Sequence, residues 1–278
     1  MSLNNSSFIR WAGGKSWLVP YVQELIDGLE FNNYHEPFMG SASVFFSINV
    51  PQKCFLSDLN HELVVAFCAV RDNPQRVINY LKDYRTDEES YYLIRESIPR
   101  GKYQRAARFI YLNTYSFNGI YRVNRQGKFN VPYGKRGNCI INYERLLDAS
   151  KRLKNVVIKC QDFDESKSLI RQGDLVFLDP PYTVPKESNS MFIEYNSKLF
   201  SLEDQYRLAK LVDHIISQRA YFILTNAANE KIIEIFQGKG RTITRERSSV
   251  IGGKNAYRGK VEEYIFTNIQ EKGVNDEN

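Results

Sequence analysis

The chain contains four short apolar runs, and each ends near an acidic or amide side chain. Buried parallel strands have continuous apolar runs of this kind, because helices cover both faces of their sheet. The runs are residues 54–56 before Asp58, 156–158 before Asp162, 175–178 before Asp179 and 221–224 before Asn226. We therefore predict four strands of a parallel sheet.

A helix is predicted between the last two of these strands. Ser201 and Asp204 have the spacing of a capping box, in which two side chains satisfy backbone N–H groups at the start of a helix. Apolar residues then recur at helical spacing, at Leu208, Leu211, Val212 and Ile215. Strands that alternate with helices predict a doubly wound α/β sheet.

The middle of the chain has a different pattern. Residues 74–81, 88–98 and 104–114 have helical periodicity and follow one another with no predicted strand between them. Residues 118–133 then alternate in short polar and apolar steps around a Gln-Gly pair at 126–127, which indicates a β-hairpin. The pattern predicts a helical and hairpin insertion in an α/β domain.

The length of 278 residues suits about two domains, or one domain with an insertion. We assign residues 1–60 and 150–270 to a discontinuous α/β domain and residues 61–149, with the hairpin at 118–133, to the insertion. Residues 271–278 are predicted to be a frayed tail.

Positive charge is concentrated in the insertion. Residues 97–143 contain no Asp or Glu but nine basic residues, so a net charge of +6 leaves 6 − 9 = −3 for the rest. The nine are Arg100, Lys102, Arg105, Arg108, Arg122, Arg125, Lys128, Lys135 and Arg136. A segment of one charge sign repels itself unless an anion meets it, and polyphosphate is the expected anion. A solvated basic face is the alternative, and a weaker basic cluster lies at residues 239–260.

Aromatic and amide side chains are interspersed with these charges, and they favour nucleic acid as the anion. Aromatic rings can stack on bases, and amides can hydrogen-bond to base edges. The residues are Tyr115, Phe117, Asn118, Tyr121, Asn124, Phe129, Asn130 and Tyr133.

Several classes of protein are disfavoured. No run approaches the roughly 18 apolar residues of a membrane span, and the polar start lacks a signal-peptide core. The four cysteines have no paired spacing and the three histidines stand alone, so neither a disulfide framework nor a metal site is expected. A reduced, cytoplasmic protein with no membrane association is the expectation.

Two glycine-containing turns are candidates for ligand binding. Gly13-Gly14-Lys15-Ser16 is not a phosphate loop, because Ile9 stands where that motif needs glycine. An aromatic, two glycines and a lysine can wrap the carboxylate and purine of a cofactor, although a plain glycine turn is equally consistent. Asp58 follows Gly40 by eighteen residues, at the end of a predicted strand. This is the Rossmann arrangement for ribose hydroxyls, and it favours a mononucleoside cofactor.

Two further candidate sites follow later strands. Asp162 could accept the amino group of an adenine, with the Phe163 ring against the purine face; a structural surface aspartate is the alternative. Asp179-Pro180-Pro181-Tyr182 offers a carboxylate and carbonyls on a backbone that proline stiffens, beside an aromatic ring. Such a cup suits an exocyclic amine, because two acceptors take its two hydrogens and its lone pair becomes available for attack. A rigid turn is the alternative.

Together these residues resemble the Dam-type, or D12-class, DNA adenine-N6 methyltransferases. Six blocks match in the family's order across nearly the whole chain: residues 11–15, 36–40, 57–60, 117–122, 129–134 and 179–182. The resemblance implies a Rossmann-like methyltransferase sheet with an inserted helical and β-hairpin DNA-recognition domain. It implies S-adenosylmethionine as the methyl donor, S-adenosylhomocysteine as its product, and an adenine flipped out of double-stranded DNA.

The resemblance also assigns roles to individual residues. The donor would be held by Trp11, Lys15, Glu36, Phe38, Gly40, Asp58, Asp162, Phe163 and Asp179. Catalysis would depend on Asp179, Pro180 and Tyr182. DNA would be contacted by Arg10, Phe117, Asn118, Ile120, Arg122, Asn130, Pro132 and Lys135. Members with this hairpin typically methylate GATC. Here Ile120 replaces the usual leucine and Arg10 a common lysine, and both changes keep the chemical character.

The resemblance implies a bacterial or phage-encoded cytoplasmic enzyme that acts on the nucleoid, with no metal and no obligate protein partner. Two alternatives remain. One is an enzyme on the same scaffold that modifies adenine in RNA or an amide nitrogen in protein; Asp at position 179 and the hairpin blocks argue against it. The other is a catalytically inactive DNA-binding protein, which the intact residues 179–182 argue against.

Overall fold

The computed structural model describes residues 7–124, 126–134, 140–182, 200–248 and 260–270. Lys135 and the predicted tail at 271–278 lie outside these ranges. The described helices are α1 Val19–Leu25, α2 Ser43–Ser47, α3 His61–Asp72, α4 Pro74–Lys82, α5 Glu88–Glu96, α6 Lys102–Tyr115, α7 Tyr143–Leu153, α8 Leu202–Ser217 and α9 Glu230–Phe236. The strands are β1 Tyr34–Glu36, β2 Cys54–Asp58, β3 Val157–Cys160, β4 Leu175–Leu178, β5 Tyr221–Ala227, β6 Arg241–Ser248 and β7 Lys260–Thr267.

The strands form a seven-stranded, mostly parallel sheet in the order β3-β2-β1-β4-β5-β7-β6. The pairs β2–β3, β1–β4 and β4–β5 are parallel, whereas β7 is antiparallel to both β5 and β6. The predicted Rossmann-like α/β class is confirmed. Ligands bind such sheets outside the carboxyl ends of the strands, where the strand order reverses. Here the reversal occurs at β1.

All four predicted strands are present, as β2, β3, β4 and β5, and three strands were not predicted. β1 has only three residues, too few for a periodic signal. β6 and β7 carry charged residues along much of their length, with sequences RTITRERS and KVEEYIFT. This composition resembles a solvated charged segment more than a strand.

The first compact unit comprises Met1–Val19, Met39–Asn49 and Phe55–Gln161. The three helices predicted in the middle of the chain are confirmed as α4, α5 and α6, and α6 packs on α3, α4 and α5. Both α3 and α6 bury side chains at helical spacing, among them Phe67 and Val70 on α3 and Ile110 on α6.

The predicted hairpin also lies in this unit. Residues 116–134 double back through isolated antiparallel bridges, Ser116 with Tyr133 and Val123 with Phe129, rather than through continuous strands. Gly127 turns the chain at a φ of +74°. The Tyr91 hydroxyl on α5 donates to the carbonyl of Val131 at 2.9 Å, which fastens the segment to the helices.

The second compact unit comprises Pro20–Phe38, Val50–Cys54 and Asp162–Asn278. Its core is formed by β4 and β5 with α8 and α9, through residues such as Leu178, Leu211, Phe222 and Phe236. The predicted capping box is confirmed: the Ser201 hydroxyl accepts from the Asp204 N–H, and the Asp204 carboxylate accepts from the Ser201 N–H.

These units divide the chain differently from the predicted domains, since the first unit joins the insertion to residues near the start of the chain. The predicted domain bounds therefore stay a prediction.

None of the described helices has the length and apolarity that crossing a bilayer requires.

Candidate functional site

In the first unit, Trp11 and Lys15 lie on one tight turn. The Gly14 N–H donates to the Trp11 carbonyl at 3.1 Å, and Gly13 has a φ of +81°. The Lys15 side chain is only 3% exposed, and its Nζ donates to the Gly13 carbonyl at 2.7 Å. A buried ammonium that is held by backbone oxygen suits an anionic group such as a ligand carboxylate.

Asp58 lies at the end of β2 and is bonded to a second turn. Its Oδ2 accepts from the Gly40 N–H at 3.1 Å, and its Oδ1 accepts from the Asn60 N–H at 2.8 Å. Burial raises the pKa of the Asp58 carboxyl, although these two N–H donors oppose the shift. Each oxygen has a second lone pair, so the group can also accept from a pair of ribose hydroxyls.

The two turns meet at Gly40 and Trp11. A Cβ on Gly40 would lie 2.7 Å from Cδ1 of the Trp11 ring, and the φ of Gly40 is +44°. The indole also stacks on Tyr121, with ring centroids 5.7 Å apart. Trp11, Lys15, Gly40 and Asp58, predicted as donor-binding residues, thus lie on neighbouring turns of one unit.

The predicted DNA-contacting residues are largely exposed in the same unit. Phe117 is 49% exposed, and Asn118 is exposed in the left-handed conformation at a φ of +58°. Arg122 is exposed, and its Nε donates to Asn130 Oδ1 at 2.9 Å. Arg10 and Pro132 are exposed and Ile120 is half-buried.

Asn113 joins two of these reading segments, and sequence reasoning missed it. Its Oδ1 accepts from the Arg10 N–H at 2.9 Å, and its Nδ2 donates to the carbonyls of Arg10 at 2.8 Å and Gly119 at 3.4 Å. Asn113 is 2% exposed on α6. Because its partners are distant in sequence or lie in a turn, no sequence spacing could have identified it.

The segment without acidic residues is partly neutralised in three dimensions. Lys102 pairs with Asp72 and Arg105 with Glu62, and both acids come from α3. Arg108 donates to the Ile94 carbonyl at 3.0 Å. Within the described ranges, by contrast, Arg10, Arg122 and Lys128 form no ion pair, so part of the positive charge available to an anion lies at residue 10 and on the hairpin.

In the second unit, aromatic side chains cluster after β1. The Phe38 ring is stacked on Phe163 at 5.2 Å and meets Phe200 edge-on at 5.7 Å. Glu36 is 3% exposed and accepts from the Tyr34 hydroxyl at 2.8 Å. Phe163 is 2% exposed, whereas Phe38 is half-buried and has the more accessible ring.

Asp162 is held by a residue that the sequence did not indicate. Arg207 on α8 donates to Asp162 Oδ1 at 2.7 Å and to Asp204 Oδ1 at 2.9 Å. Its guanidinium carbon lies 4.7 Å from the centroid of the Phe163 ring. The predicted role of Asp162 as an acceptor for adenine stays a prediction, and Arg207 fixes the orientation of its carboxylate.

Asp179, Pro180 and Tyr182 follow β4 directly. Asp179 is half-buried, Pro180 is buried and Pro181 is exposed. Thr225 Oγ1 on β5 donates to Asp179 Oδ1 at 2.7 Å, and the Tyr182 hydroxyl donates to Glu263 Oε2 on β7 at 2.5 Å. The motif is therefore a loop held at both ends by side chains of two neighbouring strands.

Comparison with known proteins identifies the family of the chain. Residues 11–250 match the sequence profile described as D12 class N6 adenine-specific DNA methyltransferase. The chain belongs to this family, and it is a DNA adenine methyltransferase.

Relatives match over almost the whole length. The type II methyltransferase M1.LlaDCHI of Lactococcus lactis subsp. cremoris is 35% identical, over 96% of each chain. The type II methyltransferase M.MjaIII of Methanocaldococcus jannaschii is 34% identical over 80% of this chain and 84% of its own. The DNA adenine methylase of Escherichia coli K12 is 27% identical over 94% of both. The family membership inferred from the six sequence blocks is confirmed.

Proposed function

We propose that the chain transfers a methyl group from S-adenosylmethionine to N6 of adenine in GATC sites of double-stranded DNA, after flipping the adenine out of the duplex. The observation that carries this proposal is the position of Asp179, fixed by Thr225 directly after β4, with Pro180 and Tyr182 beside it. This position, at the carboxyl edge of a parallel sheet, is where such folds bind ligands.

The described residues fit the proposed donor. Lys15 offers a buried cation for its carboxylate, and Asp58 offers acceptors for its ribose hydroxyls. A Cβ at position 40 would fill the space beside Trp11, so glycine there keeps the turn open to a closely approaching ligand. We assign Glu36, Phe38, Asp162 and Phe163 to the same ligand. When bound, the donor supplies an electrophilic sulfonium methyl group.

The chain's part in the reaction is to hold an amine. The Asp179 carboxylate and a neighbouring carbonyl accept the two hydrogens of adenine N6, while the purine stacks on the Tyr182 ring. Two acceptors draw the nitrogen toward tetrahedral geometry, so its lone pair points at the methyl carbon. No strong base is required before the new N–C bond forms. As it forms, the S–C bond of the donor would break and release S-adenosylhomocysteine, and the surplus proton on N6 would then pass to the Asp179 carboxylate. Flipping requires about a few kcal/mol of unstacking.

Sequence preference is assigned to the hairpin and Arg10. A guanidinium suits bidentate hydrogen bonding to guanine in the major groove, and Arg122 has one N–H already fixed on Asn130. Phe117 and Asn118 are exposed at a tight turn, where they can fill the space that a flipped base leaves. Ile120 and Pro132 are assigned apolar contacts with neighbouring bases, and Lys135 a backbone contact.

The decisive experiment is to express the chain in a host that lacks adenine methylation and to sequence the genomic DNA. We expect methylated adenine in GATC. Methylation in another sequence would overturn only the GATC assignment. A parallel assay with purified protein on duplex DNA, RNA and protein acceptors tests the alternatives: transfer to RNA would replace the DNA proposal, and duplex binding without transfer would indicate an inactive binding protein.

Arg122→Ala should relax specificity at one base pair. We expect the loss of one bidentate contact to cost about 1–3 kcal/mol on the cognate duplex and much less on a duplex altered at that pair. Lys128→Ala is the matched control, since an exposed lysine on the same hairpin should weaken binding equally on every sequence. Competition binding with the cognate and the altered duplex measures the affinity of each variant. An equal loss of affinity for the two duplexes in Arg122→Ala would mean that Arg122 contacts only phosphate.

Gly40→Ala should weaken donor binding by roughly tenfold or more, because the new Cβ lies 2.7 Å from the Trp11 ring and the φ of +44° disfavours alanine. Calorimetric titration with S-adenosylhomocysteine measures the affinity. Gly238→Ala is the control, because Gly238 has a φ of +76° with no atom within 4 Å of the added Cβ. Unchanged affinity in Gly40→Ala would remove this turn from the donor site.

A further inference from the structure

Two polar side chains of the sheet are almost completely buried beside residues 179–182. Thr225 is 0% exposed on β5, and Glu263 is 1% exposed on β7. Burying a carboxylate is costly, and an apolar residue of similar volume often stabilises a fold at least as well. The position of Glu263 therefore calls for an explanation other than stability.

The register of the strands brings both residues to the loop. Leu178, the last residue of β4, pairs with Leu224 of β5, so Thr225 comes beside Asp179. Glu263 pairs with Ala227, and Thr225 pairs with Ile265. Thr225 and Glu263 are therefore diagonal neighbours on one face of the β5–β7 pair.

Each residue contacts one end of the loop. Thr225 donates to Asp179 at 2.7 Å, and Glu263 accepts from Tyr182 at 2.5 Å. Burial raises the pKa of Tyr182 well above its ordinary value, and the nearby Asp179 and Glu263 add to the shift, so the hydroxyl keeps its proton and remains a donor.

We propose that Thr225 and Glu263 are positioning residues of the methyl-transfer site: Thr225 sets the rotamer of the Asp179 carboxylate, and Glu263 sets the plane of the Tyr182 ring. This inference rests on the proposed function, in which Asp179 grips the amine and Tyr182 stacks on the purine. In-line transfer needs the nitrogen aligned with the methyl carbon, and a shift of about 1 Å can reduce a rate by roughly 100-fold.

The Thr225 contact is tested with a pair of variants. Thr225→Val has nearly the same shape but no hydroxyl, and Thr225→Ser keeps the hydroxyl. Under single-turnover conditions on a duplex oligonucleotide with saturating S-adenosylmethionine, we expect Thr225→Val to be roughly 100-fold slower and Thr225→Ser to stay within a few-fold of wild type. The KM for DNA should change little in either.

The Glu263 contact is tested through its partner. Glu263→Gln keeps an acceptor for the Tyr182 hydroxyl and should stay nearly active, whereas Glu263→Met should lose rate. If Glu263 acts through the Tyr182 hydroxyl, adding Glu263→Met to a Tyr182→Phe variant should reduce the transfer rate little further. Additive losses in this cycle would show that Glu263 does not act through Tyr182.

Thr267→Val separates positioning from stability. Thr267 is a buried threonine and the last residue of β7. Its hydroxyl donates to the Phe222 carbonyl at 2.6 Å and not to a residue of the 179–182 loop. The Thr267→Val substitution should lower the melting temperature without slowing methyl transfer. Rates are expressed per S-adenosylhomocysteine-binding site, so a poorly folded variant is not counted as a slow one; if Glu263→Met yields no folded protein, the Thr225 pair decides.

Wild-type rates in both Thr225→Val and Glu263→Met would overturn the inference and leave the proposed function standing. Equal slowing by Thr267→Val would also overturn it, because the losses would then follow stability. A wild-type chain that methylates no duplex DNA would instead refute the proposed function itself.

Discussion

Replacing Asp179 by alanine should abolish methylation of duplex DNA while binding of the duplex stays close to wild type. The substitution removes a carboxylate acceptor from the amine site, but it leaves the exposed hairpin and Arg10 intact in the other compact unit. Asp179→Asn keeps one acceptor oxygen and should lose less methyl-transfer activity than Asp179→Ala. The measurements are methyl transfer to a duplex oligonucleotide and, separately, the dissociation constant for that duplex.

Asp213→Ala is the matched control, since this carboxylate is 57% exposed and pairs with Lys239 on the surface. It should leave methyl transfer unchanged. Turnover that survives in Asp179→Ala would remove Asp179 from the mechanism, and the assignment of the amine site would then fail.

Asp174→Ala should have the largest effect on stability, with a loss of about 3–5 kcal/mol in the free energy of unfolding. The carboxylate is 0% exposed. It meets His35 Nε2 at 2.8 Å, and it accepts from the Asn33 N–H at 3.1 Å, from Asn33 Nδ2 at 2.9 Å and from the Arg171 N–H at 2.9 Å. Alanine would leave these buried groups without their acceptor. Denaturant unfolding measures the loss.

The same residue gives a pH dependence of known sign. Burial alone would raise the pKa of Asp174, but the hydrogen bonds from His35, Arg171 and Asn33 outweigh it and lower the pKa below 3.8. A lowered pKa stabilises the folded state above the unfolded value, and this contribution disappears as pH falls through the folded value. The stability difference between wild type and Asp174→Ala should therefore narrow in acid below about pH 4; a constant difference would contradict the assignment.

Sequence reasoning succeeded where the signal was local. Apolar runs gave β2 to β5, helical spacing gave α4 to α6, and a capping box placed the start of α8. The loop at residues 179–182 was recognisable because two prolines and an acid after a buried strand have few structural purposes. In each case neighbouring residues carry the whole pattern, so no knowledge of the tertiary fold is required.

Residues whose partners are distant along the chain could not be predicted. Thr225 and Glu263 reach their loop only through the register of β4, β5 and β7, and β7 itself has too many charges to suggest a strand. Charge was misleading for a similar reason. Lys102 and Arg105 belong to a stretch without acids in sequence, yet α3 supplies an acid to each.

The hydrogen bonds that Asn113 forms with Arg10 and Gly119 bear on attempts to change the target sequence of the enzyme. One buried amide ties the backbone of Arg10 to that of Gly119, so the two segments proposed to read the DNA depend on a residue that is itself only 2% exposed. A chimera that imports a foreign hairpin without a compatible helix beneath it would lose this connection. We expect transplanted specificity to require exchange of the hairpin, residue 10 and the supporting helix as a single module.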